Sequence, residues 1–94
     1  MQAIWKYPVN FEERVGLSMP AGSQVLCVQF QGFCPTIWVK VLDTEAKREF
    51  RKFSWYGTGH EHSVISGDYV GTLQTSQGLV FHLFDESYVA VQDN

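Results

Sequence analysis

Short runs rich in Val, Ile, Phe, Tyr and Trp recur along this chain, cut by Gly, Pro, Asn, Asp or Ser roughly every eight to twelve positions. Such spacing leaves no space for long helices between the runs. It predicts an all-β fold, a small antiparallel sandwich or partly open barrel of about six to seven strands. Extended runs are read at residues 2–7, 15–19, 24–31, 36–42, 48–56, 68–75 and 79–84. In the third run Leu26, Val28 and Phe30 share one face, with Cys27, Gln29 and Gln31 on the other. In the fourth, Ile37, Val39 and Val41 point inward while Trp38 and Lys40 point outward, which makes Trp38 a candidate for an interface. A charged connection over residues 43–47 has space for a helical turn at most. Phe50 and Phe53 lie an odd step apart, so a β-bulge or twist is predicted in run 48–56. Residues 68–75 and 79–84, joined by Ser76-Gln77-Gly78, form a hairpin. Because 79–84 is apolar on both faces, it is read as a central strand buried on both sides. With no repeat, linker or low-complexity tract, residues 1–94 read as a single β domain.

Composition excludes several functions. The formal charge is −3 and the seven Lys and Arg residues form no block, so a duplex nucleic acid is not an expected partner. A ligand with one or two phosphates needs only a few donors and stays open. The first residues lack the apolar core of a signal peptide, and no apolar run approaches the roughly 20 residues of a membrane span. The chain therefore reads as soluble and cytosolic, without a membrane partner. Three Trp, four Tyr and seven Phe are many for 94 residues, and some of these rings are expected in a self-association interface. Cys27 and Cys34 flank the turn-like Gln31-Gly32, so adjacent strands are open to them, but a cytosol keeps such thiols reduced.

Candidate chemistry concentrates at Tyr56-Gly57-Thr58-Gly59-His60-Glu61-His62. Glycines at alternate positions permit φ > 0 and close approach, and consecutive N–H groups in such a turn cradle anions. His60 and His62 can grip a metal only if a third ligand such as Asp68 or Glu61 converges, so neither a metal nor any other cofactor is expected. His82, between apolar neighbours, reads as a core histidine held by a backbone hydrogen bond. Ser54, Ser63, Cys34, His60 and Asp68 supply the residue types of nucleophilic catalysis, but no nucleophile elbow, cysteine signature or phosphate loop accompanies them. An enzyme is not expected. Arg48, Arg51 and Lys52, with Trp55 and Tyr56, lead directly into the glycine loop. Guanidinium forks hold phosphates, rings stack on bases and loop N–H groups complete an anion's shell. The candidate ligand-binding set is Arg51, Trp55, Tyr56, Gly57, Thr58, Gly59 and His60.

Four pieces carry a resemblance: Ile4-Trp5-Lys6-Tyr7; Met19-Pro20-Ala21-Gly22 before a Val-Leu-x-Val-Gln strand; Tyr56-Gly57-Thr58-Gly59-His60; and Tyr69-Val70-Gly71-Thr72 followed by Leu79-Val80-Phe81-His82-Leu83-Phe84. In these the chain resembles a family of short, mostly uncharacterised proteins of tailed phages and prophages. The resemblance implies a product made in the cytoplasm of an infected bacterium that counters host defence. Joined to the ligand-binding set, it implies a sponge that sequesters a cyclic nucleotide immune signal without catalysis. Such a sponge is expected to be a homo-oligomer with Trp5 or Trp38 at a subunit interface. Two alternatives stay open. One is a protein-interaction inhibitor of a host defence complex, drawing on Glu12, Glu13, Glu45, Glu49, Asp85, Glu86 and Asp93; the other is a minor structural protein of the virion.

Overall fold

Alternating apolar residues pair into seven strands in the computed structural model, which describes residues 1–87. These are β1 (Ala3–Pro8), β2 (Arg14–Pro20), β3 (Gln24–Gln31), β4 (Cys34–Val41), β5 (Arg48–Gly57), β6 (Asp68–Gln74) and β7 (Val80–Asp85). Every pairing is antiparallel, and no helix forms among the described residues. One sheet has the order β1-β4-β3 and the other β2-β5-β7-β6. The all-β expectation holds, as two open sheets rather than a closed barrel. The body is flattened, 40 × 38 × 16 Å.

The inner faces meet where the alternation of β4 placed them: Ile37, Val39 and Val41 are each fully buried. Opposite them stand Val15, Met19, Phe53, Trp55, Leu73 and Leu83. Phe11, on the connection between β1 and β2, fills the gap between the sheets. Its ring stacks on Phe81 at 4.6 Å and tilts against Trp55 at 4.8 Å. The sheets approach most closely at β3 and β6, where Gly71 leaves space for Val28; a Cβ there would lie 2.8 Å from Val28 Cγ1.

Three strand expectations are corrected. A bulge at Leu26 separates the pairs Val25–Val39 and Cys27–Trp38, so Leu26 turns out to solvent while Val25 packs against the core beside Val28. By contrast β5 keeps an unbroken register with both neighbours. The odd step between Phe50 and Phe53 means only that Phe50 faces outward, 69% exposed. Finally, β7 is an inner strand, but Leu79 precedes it in the open and its outward residues are only half-buried. Trp5 pairs with Val39 and packs against the core while half-buried, and Trp38 is half-buried on the outer face.

Candidate functional site

Strand β5 divides the candidate residues between two faces and one tip. Arg51, Phe53 and Trp55 point inward, and Arg51 is 3% exposed. Its guanidinium donates to Asp85 Oδ2 at 2.9 Å, to Glu49 Oε2 at 3.2 Å and to the Ser23 carbonyl at 2.9 Å. The Trp55 ring is equally interior, its Nε1 donating to the Asn10 carbonyl at 2.9 Å. Six positions of extended chain separate Arg51 from Gly57, about 20 Å at 3.3 Å per residue. Arg51 and Trp55 thus hold the interior together, and neither side chain is placed to meet a ligand of the loop.

At the tip, two of the loop's amides are already used. Thr58 N–H donates to the Val80 carbonyl and His60 N–H to the Gly57 carbonyl. The expected anion cradle is therefore not formed by consecutive free N–H groups. Gly59 has φ 87°, as the turn requires, whereas a Cβ at Gly57 would sit 2.8 Å from Nδ1 of the exposed His60 and would push that ring aside. His60 lies against Gly57 and lines a shallow hollow with Thr58, Leu79 and Phe81. His62 instead meets the Tyr56 ring edge-on at 4.8 Å. Among the described residues, no group of three or more His, Cys, Asp and Glu is placed to hold a metal ion. Cys27 and Cys34 are free, opposite Trp38 and Gln31.

The outward face of the four-stranded sheet gathers what the sequence kept apart. Register sets Arg14, Ser54, Phe84 and Tyr69 in one row across the strands, and Tyr56, His82 and Thr72 in the next. Rings follow edge to face: Tyr56 to Phe84 at 5.5 Å and Phe84 to Tyr69 at 5.7 Å. Tyr69 is 60% exposed. Beside the rings, His82 joins two threonines, Nε2 to Thr58 Oγ1 at 2.6 Å and Nδ1 to Thr72 Oγ1 at 2.9 Å, and Thr72 continues to the Tyr69 hydroxyl. The reading of His82 as a core histidine on a backbone bond is corrected. It lies half-buried on the outer face, held by side chains. A hydroxyl on an imidazole suggests nucleophilic catalysis, but the group behind His82 is a neutral threonine, which cannot stabilise an imidazolium as a carboxylate does.

With that face in view, the chain's kinship can be stated. Residues 1–93 match a domain of unknown function, DUF7352. The chain belongs to the DUF7352 family. No curated protein and no solved structure matches it.

In this DUF7352 protein a second centre adjoins the rings. The Glu86 carboxylate accepts hydrogen bonds from Ser54 Oγ at 2.7 Å and from the Tyr56 hydroxyl and Ser66 Oγ at 3.0 Å each. Burial pushes its pKa up, but the three hydroxyls and the Arg14 charge outweigh burial and hold it below the ordinary 4.5. Tyr56 moves upward through burial first, then through the hydrogen bond and charge of Glu86. A folded-state value below the unfolded one stabilises fully above pH 4.5 and is lost as pH falls through the lower value. Melting temperatures followed from about pH 6 to pH 3 should therefore fall more steeply in the wild type than in Glu86→Gln. Parallel curves would show that Glu86 contributes nothing to acid sensitivity.

Neither Glu86 nor His82 stands out in the sequence. The partners of Glu86 lie 20 to 32 positions away and those of His82 10 and 24 positions away, so the strand register and the loop over residues 58–67 together bring them into contact.

Proposed function

We propose that this protein binds and sequesters a small cyclic nucleotide without transforming it, at the outer face of the four-stranded sheet. The observation that carries this reading is the outward ring row of Tyr56, Phe84 and Tyr69 set beside the Thr58–His82–Thr72 hydrogen bonds. Exposed rings on an open sheet stack bases, while hydroxyls and imidazole bond to phosphate and ribose. Of the residues expected from sequence, Tyr56 and Thr58 belong to this site and His82, Thr72 and Tyr69 join it, whereas His60 lies against Gly57 in the hollow with Phe81. The neutral Thr72 hydroxyl on His82 Nδ1, a poor stabiliser of an imidazolium, supports binding over catalysis. The resemblance to phage and prophage proteins supplies the biological setting: a counter-defence sponge in the host cytoplasm, acting as a homo-oligomer.

A thermal-shift screen against cyclic mono-, di- and trinucleotides tests the proposal. A ligand at 100 times its Kd that binds only the native state stabilises by about 2.7 kcal/mol. Tyr69→Ala should remove most of that shift, since one base–aromatic stack contributes about 1–3 kcal/mol. A shift left whole in Tyr69→Ala would reject the ring face.

One observation favours a second reading. Phe33, at the β3–β4 turn, is 98% exposed, and an exposed ring on a hairpin tip suits insertion into a protein partner. On that reading the protein blocks a host defence complex or joins the virion. Loss of a stoichiometric partner in Phe33→Ser, with wild-type capture intact, would support it.

A further inference from the structure

Beside the rings, the same outer face opens into a groove of about 460 Å³ lined by Arg14, Gly16, Phe50, Lys52, Ser54 and Glu86. A neighbouring hollow of about 330 Å³ shares Arg14, Ser54, Ser66 and Glu86 with it and reaches Tyr56 and His62. Glu86 therefore sits between the two. We propose that this groove reads the base of the bound nucleotide, Glu86 accepting an N–H of the base while Arg14 and Lys52 meet the phosphate. The inference rests on the nucleotide reading above and assigns the groups that select the base.

An ionised carboxylate offers about four acceptor positions. Ser54 fills one on Oε1, and Tyr56 and Ser66 fill two on Oε2. The position left on Oε1 suits a single N–H donor, and the three hydroxyls hold the carboxylate in place before a ligand arrives. Charge narrows the ligand further. With two positive side chains and one carboxylate, the groove suits a molecule that offers an N–H donor edge to Glu86 and an anionic group to Arg14 and Lys52. Nucleotides with amino-bearing bases have that form. Phe50 supplies the stacking surface. Its ring lies across Gly16, where any Cβ would collide with it, and it remains 69% exposed. The glycine lets the ring lie down over the sheet, so a planar base can rest on it.

The test compares each base with an analogue lacking its exocyclic amino group, adenine against unsubstituted purine and guanine against hypoxanthine, in cyclic dinucleotides. Wild type, Glu86→Gln and Arg14→Ala are titrated calorimetrically, and unliganded melting establishes that each variant folds. Deleting the amino group should weaken wild-type binding about tenfold or more, the scale of a hydrogen bond to a charged group. In Glu86→Gln the same deletion should cost less than about threefold, because the charged acceptor is gone. Arg14→Ala, at an exposed position, should weaken all the dinucleotides together and flatten their salt dependence. Binding that is unchanged in Arg14→Ala, with equal amino-group discrimination in Glu86→Gln and wild type, overturns the groove and leaves the nucleotide reading standing. Failure of every cyclic dinucleotide to bind wild type overturns both.

Discussion

Asp85→Ala is expected to destabilise the fold by about 3 kcal/mol or more, because it leaves a buried guanidinium without its main counter-charge. Arg51 and Asp85 are 3% and 5% exposed and meet at 2.9 Å between the sheets. Glu49 remains at 3.2 Å, but its side chain is 36% exposed, and solvent screens it. Removing Glu49 instead should cost under about 1 kcal/mol. For a domain near this size each kcal/mol moves the melting point by about 4–8 °C, so Asp85→Ala should fall by about 12 °C or more. The double variant Arg51→Met with Asp85→Leu should recover much of the loss, since apolar groups of similar volume replace buried ion pairs at little cost. Equal effects of Asp85→Ala and Glu49→Ala in urea unfolding would contradict this ranking.

Gly67→Ala is the second large effect, expected at about 3 kcal/mol from backbone strain and collision together. Gly67 has φ 97°, and a Cβ there would lie 2.5 Å from the Asp85 carbonyl oxygen and 3.0 Å from its carbon. Backbone cannot give way as a flexible side chain does. The substitution must lift residues 58–67 from the end of β7 and pull Ser66 away from Glu86. Gly59→Ala serves as the control: its φ is 87° but nothing lies within 4 Å, so only the left-handed cost of about 1–2 kcal/mol applies. Thermal unfolding of the two variants distinguishes collision from conformation. A Gly59→Ala loss as large as that of Gly67→Ala would show that φ alone decides.

The strands were legible because burial has a period of two, and Ile37, Val39 and Val41 obey it without exception. Leu26 broke the pattern through a bulge, which leaves no mark when Val25, Leu26 and Val28 are all apolar. The same period bears on Arg51, which alternates with the buried Phe53 and Trp55 and so belongs to the inner face. Its charge made it look like a ligand group, whereas Asp85, 34 positions away, makes it an internal one. The glycine loop was found, but its amide partners at Val80 and Gly57 depend on tertiary contacts. His82 and Glu86 were hidden for a similar reason, since their hydroxyl partners arrive by register from other strands and from the loop over residues 58–67.

The most direct test of the binding face is an amide-resonance titration of the protein with whichever cyclic nucleotide stabilises it in the thermal screen. Binding at the outer face predicts shifts concentrated at Tyr56, Thr58, Tyr69, Thr72 and His82, with Ile37, Val39 and Val41 on the opposite sheet unmoved. Shifts confined to the three-stranded sheet, or a spectrum unchanged at saturating nucleotide, would contradict it.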